Sequence, residues 1–292
     1  MILQVMKRRA SGVVIALLGG GQEINTGEAG LAEWGRALTE SPTDWQVFVS
    51  PELLVGDAST AGSCLFPDQS AAPMQRVTRD PDLHLRVSQR SFRSAALTEW
   101  VEAVLARNAA EASRRMERIR SDFPIRLTRD LEVARGWLRA RARGERRMGL
   151  LASSGARRLR QHGISVAERV DEVSWFLNSS DDVRSSDFLE LALSEFGVQG
   201  LELDWTCLAW GGDLTPSVQG WEFRQFRGTK WQNVGKADMR GFILNRYRVL
   251  LTRAREGMVI WVPPGSERDA TRSPERFDRV ADFLLACGVE PL

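Results

Sequence analysis

Four short segments carry the residues best suited to act on phosphates. The first is Gly19-Gly20-Gly21-Gln22-Glu23, directly after the apolar run Val13 to Leu18. A dinucleotide fingerprint needs a third glycine at its sixth position, where this chain has Ile24, so that reading fails. Flexible glycines followed by Gln22 suit an amide aimed at a phosphate or a water, and equally an ordinary strand-to-turn connection. The second is Ser88 to Ser94, with Arg90 and Arg93 at the expected start of a helix. The helix dipole disfavours cations there. A bound polyanion gives such arginines a purpose, since guanidinium is a rigid fork for phosphate oxygens, and two solvated side chains are the plain alternative.

The third segment, Ser194 to Trp205, packs polar and acidic residues between apolar runs. Gln199-Gly200 suits a tight turn, and Glu202 can accept hydrogen bonds from a sugar hydroxyl or from another loop. The fourth, Asn245 to Gly257, follows apolar Val249-Leu250-Leu251 with Arg253 and Arg255. Cations at a helix C-terminus also serve as simple caps.

Lys and Arg together number 40 in 292 residues, yet only Lys7, Lys230 and Lys236 are lysines. Any lysine-dependent motif is therefore quick to check. Arginines crowd the stretch Arg135 to Arg160, where Glu145 is the local counter-charge. Arg141, Arg143, Arg157 and Arg158 in this stretch, with Arg184 beyond it, are candidate contacts to a nucleic-acid backbone. A solvated helix face is the bland alternative. Trp221 and Trp231 flank Arg224, Arg227 and Lys230, which makes that segment a second candidate through stacking plus charge. The net charge of +2 excludes an acidic tail and a uniformly basic coat. Cys64, Cys207 and Cys287 are scattered, and with His84 and His162 they offer no disulfide framework or metal-ligand spacing. The apolar runs fall far short of a membrane span, and a cytoplasmic protein is expected.

The elements that must position these residues alternate. Val13 to Leu18, Trp45 to Ser50, Leu83 to Val87, Pro124 to Leu127, Met148 to Leu151, Leu189 to Leu193, Leu203 to Ala209 and Met258 to Val262 read as strands. Gly30 to Leu38, Ala95 to Ile119, Leu131 to Ala142, Arg240 to Arg253 and Pro274 to Ala286 read as helices, and Arg157 to Gln161 as a short helical turn. Ser273 is the expected cap of the last helix, with Pro274 at its first position. This alternation predicts an α/β fold with a mostly parallel sheet. Pro51 to Pro81 is weakly periodic and reads as a linker. Two units are expected, over residues 1–80 and 81–292.

The four segments together, in order and wording, resemble superfamily 1 helicase motifs, and specifically the Schlafen group 3-like DNA/RNA helicase domain family. Gly19 to Ile24 looks like motif III, Phe92-Arg93-Ser94 like motif IV, Gln199 to Asp204 like motif V, and Leu251 to Arg255 like motif VI. Leu150-Leu151-Ala152-Ser153-Ser154-Gly155 and Asp182 to Ser186 extend the likeness, which spans nearly the whole chain. The resemblance implies two RecA-like domains of the P-loop NTPase helicase type, with ATP and Mg2+ between them and single-stranded DNA or RNA across them. It assigns Gln22 to sensing the terminal phosphate, Arg93 to a phosphate contact and Glu202 to the nucleotide ribose or to coupling with nucleic acid. It makes Arg253 the arginine finger, with Arg255 beside it. Gln22, Arg93 and Arg253 are then the catalytic set.

One departure decides what is expected of the chain. Such an ATPase needs a glycine-rich loop ending in Gly-Lys-Thr or Gly-Lys-Ser, and an acidic pair after a strand for magnesium. None of the three lysines stands in such a loop, and neither Glu28 nor Glu33 ends a strand. The expectation is a C-terminal portion of a helicase-like ATPase, its first RecA-like lobe truncated, inactive alone and binding no nucleotide tightly. The alternative is a non-catalytic nucleic-acid-binding or regulatory module that works with a separate protein supplying the phosphate-loop half.

Overall fold

The structure is a computed structural model that describes residues 2–6, 8, 11–17, 30–41, 45–56, 60, 63–68, 74–84, 92–166 and 169–292, without the side chains of 4, 74 and 92–94. The chain divides into two compact units, Met1–Gln89 and Arg90–Leu292.

The first unit contains α1 (Ile2–Met6), α2 (Gly30–Thr39), β1 (Val47–Val49), α3 (Pro51–Val55) and β2 (Val77–Arg79). β1 and β2 pair in parallel, Val47 opposite Val77. Val49, Leu54, Leu65 and Phe66 form the buried cluster beside them. Gly35 of α2 meets the Leu65 backbone so closely that a Cβ there would overlap the Leu65 carbonyl. The segment expected to be a linker thus carries a helix and a strand. The strand expected at Val13 to Leu18 is absent over the described residues 12–17, and Val13, Ile15 and Leu17 are exposed. An apolar run becomes a strand only where another strand takes up its backbone donors and acceptors, and among the described residues none pairs with this one.

The second unit contains α4 (Phe92–Leu105), α5 (Ala109–Ile119), β3 (Ile125–Thr128), α6 (Leu131–Arg141), β4 (Met148–Ala152), α7 (Glu172–Leu177), β5 (Ala192–Leu193), α8 (Glu195–Val198) and β6 (Leu203–Ala209). It continues with β7 (Leu214–Ser217), β8 (Gly220–Arg227), β9 (Lys230–Asn233), α9 (Ala237–Leu251), β10 (Ala254–Trp261), α10 (Pro274–Ala286) and β11 (Glu290–Pro291). Six strands form one parallel sheet in the order β11-β3-β10-β6-β4-β5. All of β4 and nearly all of β6 are buried, the mark of a sheet covered on both faces. Trp137 and Leu138 of α6 cover one face together with Leu150, Cys207 and Val259. This α/β architecture, with a parallel sheet and flanking helices, is consistent with a RecA-like fold.

Several elements differ from expectation, among them the strand expected over Leu189 to Leu193, which shortens to β5 because Leu189 takes a left-handed φ of 60°. The single long helix from Ala95 is two, because Arg107 takes a left-handed φ of 58° and Asn108 caps α5 through the Glu111 N–H at 3.1 Å. The strand expected over Leu83 to Val87 begins in a short 3₁₀ turn, Pro81–Leu83, and its remainder past residue 84 lies outside the described residues. The antiparallel meander β7-β8-β9, unanticipated, is anchored by Trp221 Nε1 on the Leu105 carbonyl at 2.7 Å and by Arg107 Nη2 on the Ser217 carbonyl at 2.5 Å. Ser273 sits at the cap position of α10, but its side chain makes no cap hydrogen bond. Among the described residues no helix is long and apolar enough to cross a membrane.

Candidate functional site

The segments quoted as motifs V and VI meet at the entry to the sheet. Ser194 precedes α8, and Gly200 turns the chain with a φ of 88°, where a side chain would strain the backbone. β6 then runs beside β10 with Leu203 opposite Ala254, and the Leu203 N–H donates to the Arg253 carbonyl at 2.9 Å. That register sets Glu202 and Arg255 side by side as an ion pair at 3.0 Å. Arg253 is only 1% exposed. Its Nε donates to the Val249 carbonyl at 3.0 Å, Nη1 to the Leu201 carbonyl at 3.5 Å, and Nη2 to the Thr252 hydroxyl at 3.2 Å. Val249 is in the last turn of α9, and its carbonyl also accepts the Thr252 N–H at 3.2 Å. Glu202, Arg253 and Arg255 are therefore brought together. Gln22 lies outside the described residues. Arg93 is the second residue of α4, with its side chain outside them.

At the opposite, C-terminal ends of β4 and β6 lies a buried polar network that the sequence reading missed. Asp213 is fully buried; it accepts from Ser153 Oγ at 2.5 Å and from the Tyr247 hydroxyl at 2.8 Å. The Gly211 N–H closes the ring by donating to the Tyr247 oxygen at 3.2 Å. Burial, with the Asp213 charge beside it, raises the Tyr247 hydroxyl well above its ordinary pKa. A Cβ on Gly155 would come within 2.5 Å of Asp213, and one on Gly211 within 2.4 Å of Ala156, so both positions need glycine. Next to this, Glu195 is buried and takes both the N–H and the hydroxyl of Ser154, with Arg246 Nε at 3.1 Å. Burial raises the Glu195 carboxyl, against the opposing Arg246 charge. The available signal was the Ser153-Ser154-Gly155 wording and an aspartate two residues past Gly211.

The sequence profile of the Schlafen group 3, DNA/RNA helicase domain matches residues 1–264 of the 292. The chain belongs to that family. No curated protein sequence matches it. Membership ties the Schlafen group 3 domain to helicase- and ATPase-related function and to nucleic-acid binding in general.

In this Schlafen group 3 domain the crowded arginines do not form one surface of unpaired cations. Carboxylates neutralise several: Arg135 pairs with its helix neighbour Glu132, and Arg146 and Arg147 with the distant Glu256 and Asp187. Arg158 is held by Asp269 at 2.6 Å and Arg184 by Asp182 at 2.7 Å. Thr271, Arg272 and Arg158 together hold the Asp269 carboxyl well below the usual range. Arg141 lies over the Trp137 ring at 4.0 Å, and burial lowers its pKa. Arg143 and Arg157 are exposed, and among the described residues no ion pair engages their side chains. The tryptophans of the meander are half-buried and held by their indole N–H groups: Trp221 Nε1 donates to the Leu105 carbonyl, and Trp231 Nε1 to the Thr271 carbonyl at 2.7 Å. Among the described residues no cluster of side chains could hold a metal ion.

Proposed function

We propose that this domain is the arginine-supplying, nucleic-acid-engaging part of a helicase-like ATPase that couples ATP hydrolysis to remodelling of single-stranded DNA or RNA. Residues outside these 292 would supply the phosphate loop and the magnesium-holding carboxylates. The observation that carries this reading is the register of Leu203 against Ala254, which gathers Glu202, Arg253 and Arg255 at the N-terminal ends of two central strands of the parallel sheet. ATP and Mg2+ do not fit this chain alone. The sequence has no Gly-Lys-Thr or Gly-Lys-Ser, and the described residues offer no metal-holding cluster. No chemical step is derived through them.

The test pairs two measurements on the purified chain. Magnesium-dependent ATP hydrolysis should be negligible, and single-stranded oligonucleotides should bind with an affinity that falls as salt rises. Magnesium-dependent turnover lost on Arg253→Ala would overturn the first part. A salt-insensitive affinity would overturn the second.

A non-catalytic regulatory module is the second reading, favoured by the burial of Arg253 and its bonds to Val249, Leu201 and Thr252 of its own unit. An arginine finger must reach a phosphate outside its own lobe. Adding the protein that carries the phosphate loop discriminates the two readings: its turnover rises only if Arg253 acts in trans.

A further inference from the structure

Beyond the C-terminal end of β4 lies a cavity of about 270 Å³, whose lining includes Ser154, Arg157, Phe196, Arg224, Phe226 and Arg246 beside apolar side chains such as Ile243. This is the edge of an open parallel sheet where ligands characteristically bind. Three of its twelve lining residues are arginines. Arg224 is the telling one. It is 6% exposed, and among the described residues no carboxylate pairs with it. Its Nη2 donates to the Gly212 carbonyl at 2.8 Å and to the Thr215 hydroxyl at 3.4 Å, while its buried Nε has no hydrogen-bond partner. Burying a cation without an anion is costly, and so is leaving a buried donor unused. Its neighbour Glu222 is taken up by Arg276 and Arg279. Burial pulls the Arg224 pKa down to about 10, which still leaves it charged at neutral pH.

Arg246 adds a second charge, partly balanced by Glu195, and its Nε–H is not directed along a hydrogen bond. Arg157 stands exposed at the mouth. The same cavity has two aromatic walls: Phe196, 47% exposed, and half-buried Phe226. Arginines and aromatic rings lining one cavity match a phosphate carrying a base, since bases stack on aromatic side chains. The volume lies just below the usual range of ligand cavities, about 300–1,000 Å³, and suits one nucleotide at most rather than a continuous strand.

We propose that this cavity is a binding site for a single nucleotide bearing a phosphomonoester, supplied either as the phosphorylated end of a strand or as a free mononucleotide. The inference deepens the nucleic-acid reading above, but its chemistry stands apart from Glu202, Arg253 and Arg255.

The experiment uses the full chain with labelled single-stranded oligonucleotides of one sequence ending in 5′-phosphate, 3′-phosphate or hydroxyl only, and with AMP and UMP by calorimetry. One phosphorylated end should bind roughly tenfold tighter than the hydroxyl end, the size of one charge-assisted hydrogen bond. Arg157→Gln, at an exposed position, and Arg224→Gln should each erase the difference in affinity between phosphorylated and hydroxyl ends, whatever either does to binding common to all ends. Mononucleotide binding that is lost in Arg157→Gln, with no oligonucleotide binding at all, supports the cavity and overturns the nucleic-acid reading. Oligonucleotide binding indifferent to end chemistry, with no mononucleotide binding, overturns the cavity and leaves that reading standing. A preference that survives both substitutions overturns the assignment.

Discussion

The Tyr247 hydroxyl donates to Asp213 Oδ1 at 2.8 Å, and both side chains are fully excluded from water. This bond ties the middle of α9 to the loop after β6, between the strand that motif V opens and the helix that motif VI ends. Removing the hydroxyl leaves a buried carboxylate with one fewer donor. Tyr247→Phe should lower unfolding stability by about 1–3 kcal/mol. Urea denaturation of Tyr247→Phe, Ser153→Ala and the double variant checks this. Because both donors serve one carboxylate, the two losses should not add. Strict additivity would show that they act independently.

Arg253 is expected to be a stability residue whatever else it does. Its planar fork reaches the Val249 and Leu201 carbonyls and the Thr252 hydroxyl together. Arg253→Ala should cost about 1.5–3 kcal/mol, and Arg253→Lys should recover only part of it, because an ammonium cannot reproduce a fork. Thermal melting of the two variants decides. A full recovery by lysine would mean that charge alone matters there.

The arginines differ in what their loss should do to nucleic-acid binding. Arg143→Ala and Arg157→Ala remove exposed cations, so each should reduce the slope of log affinity against log salt by about 0.7 for a single strand. Arg158→Ala and Arg184→Ala remove groups already held by Asp269 and Asp182, and should change the slope far less. Equal slopes for all four variants would place the strand elsewhere.

The cysteines give a pH prediction. Burial pushes the Cys207 and Cys287 thiols up to about 12, from an ordinary value of 9.0. Both retain their protons in the fold at pH values where the unfolded chain has lost them. Their contribution to stability is therefore intact below pH 9 and falls as pH rises from there toward 12. Native alkylation at pH 8, read by mass spectrometry, should label Cys64, which is partly exposed, and spare the two buried thiols. Rapid labelling of Cys207 in the native protein would contradict its place in the sheet core.

Much of the second unit was legible from the sequence. Short aliphatic runs such as Met148 to Leu151 and Leu203 to Ala209 became strands, and Leu131 to Ala142 and Pro274 to Ala286 became helices, because their periodicities encode burial directly. The wording of the four segments also carried the family, since each segment keeps residue types at fixed local spacing. What failed locally depended on distant partners. Val13 to Leu18 has the pattern of a strand, yet no described strand pairs with it. The break at Arg107 rests on one left-handed residue stabilised by a distant carbonyl, that of Ser217.

The candidate sites divide along the same line. Sequence alone determined the residue types at Glu202, Arg253 and Arg255, and the lack of a lysine in any phosphate loop, because these are facts of local order. Only the tertiary structure decided which arginines are spoken for. Arg158 meets Asp269 across 111 positions, and Arg146 meets Glu256 across 110. Arg224, in the sequence only one of several cations between Trp221 and Trp231, proves to be buried with no carboxylate pairing with it among the described residues. The availability of a charge is set by the groups that folding brings within a few ångströms of it, and sequence separation does not record that distance.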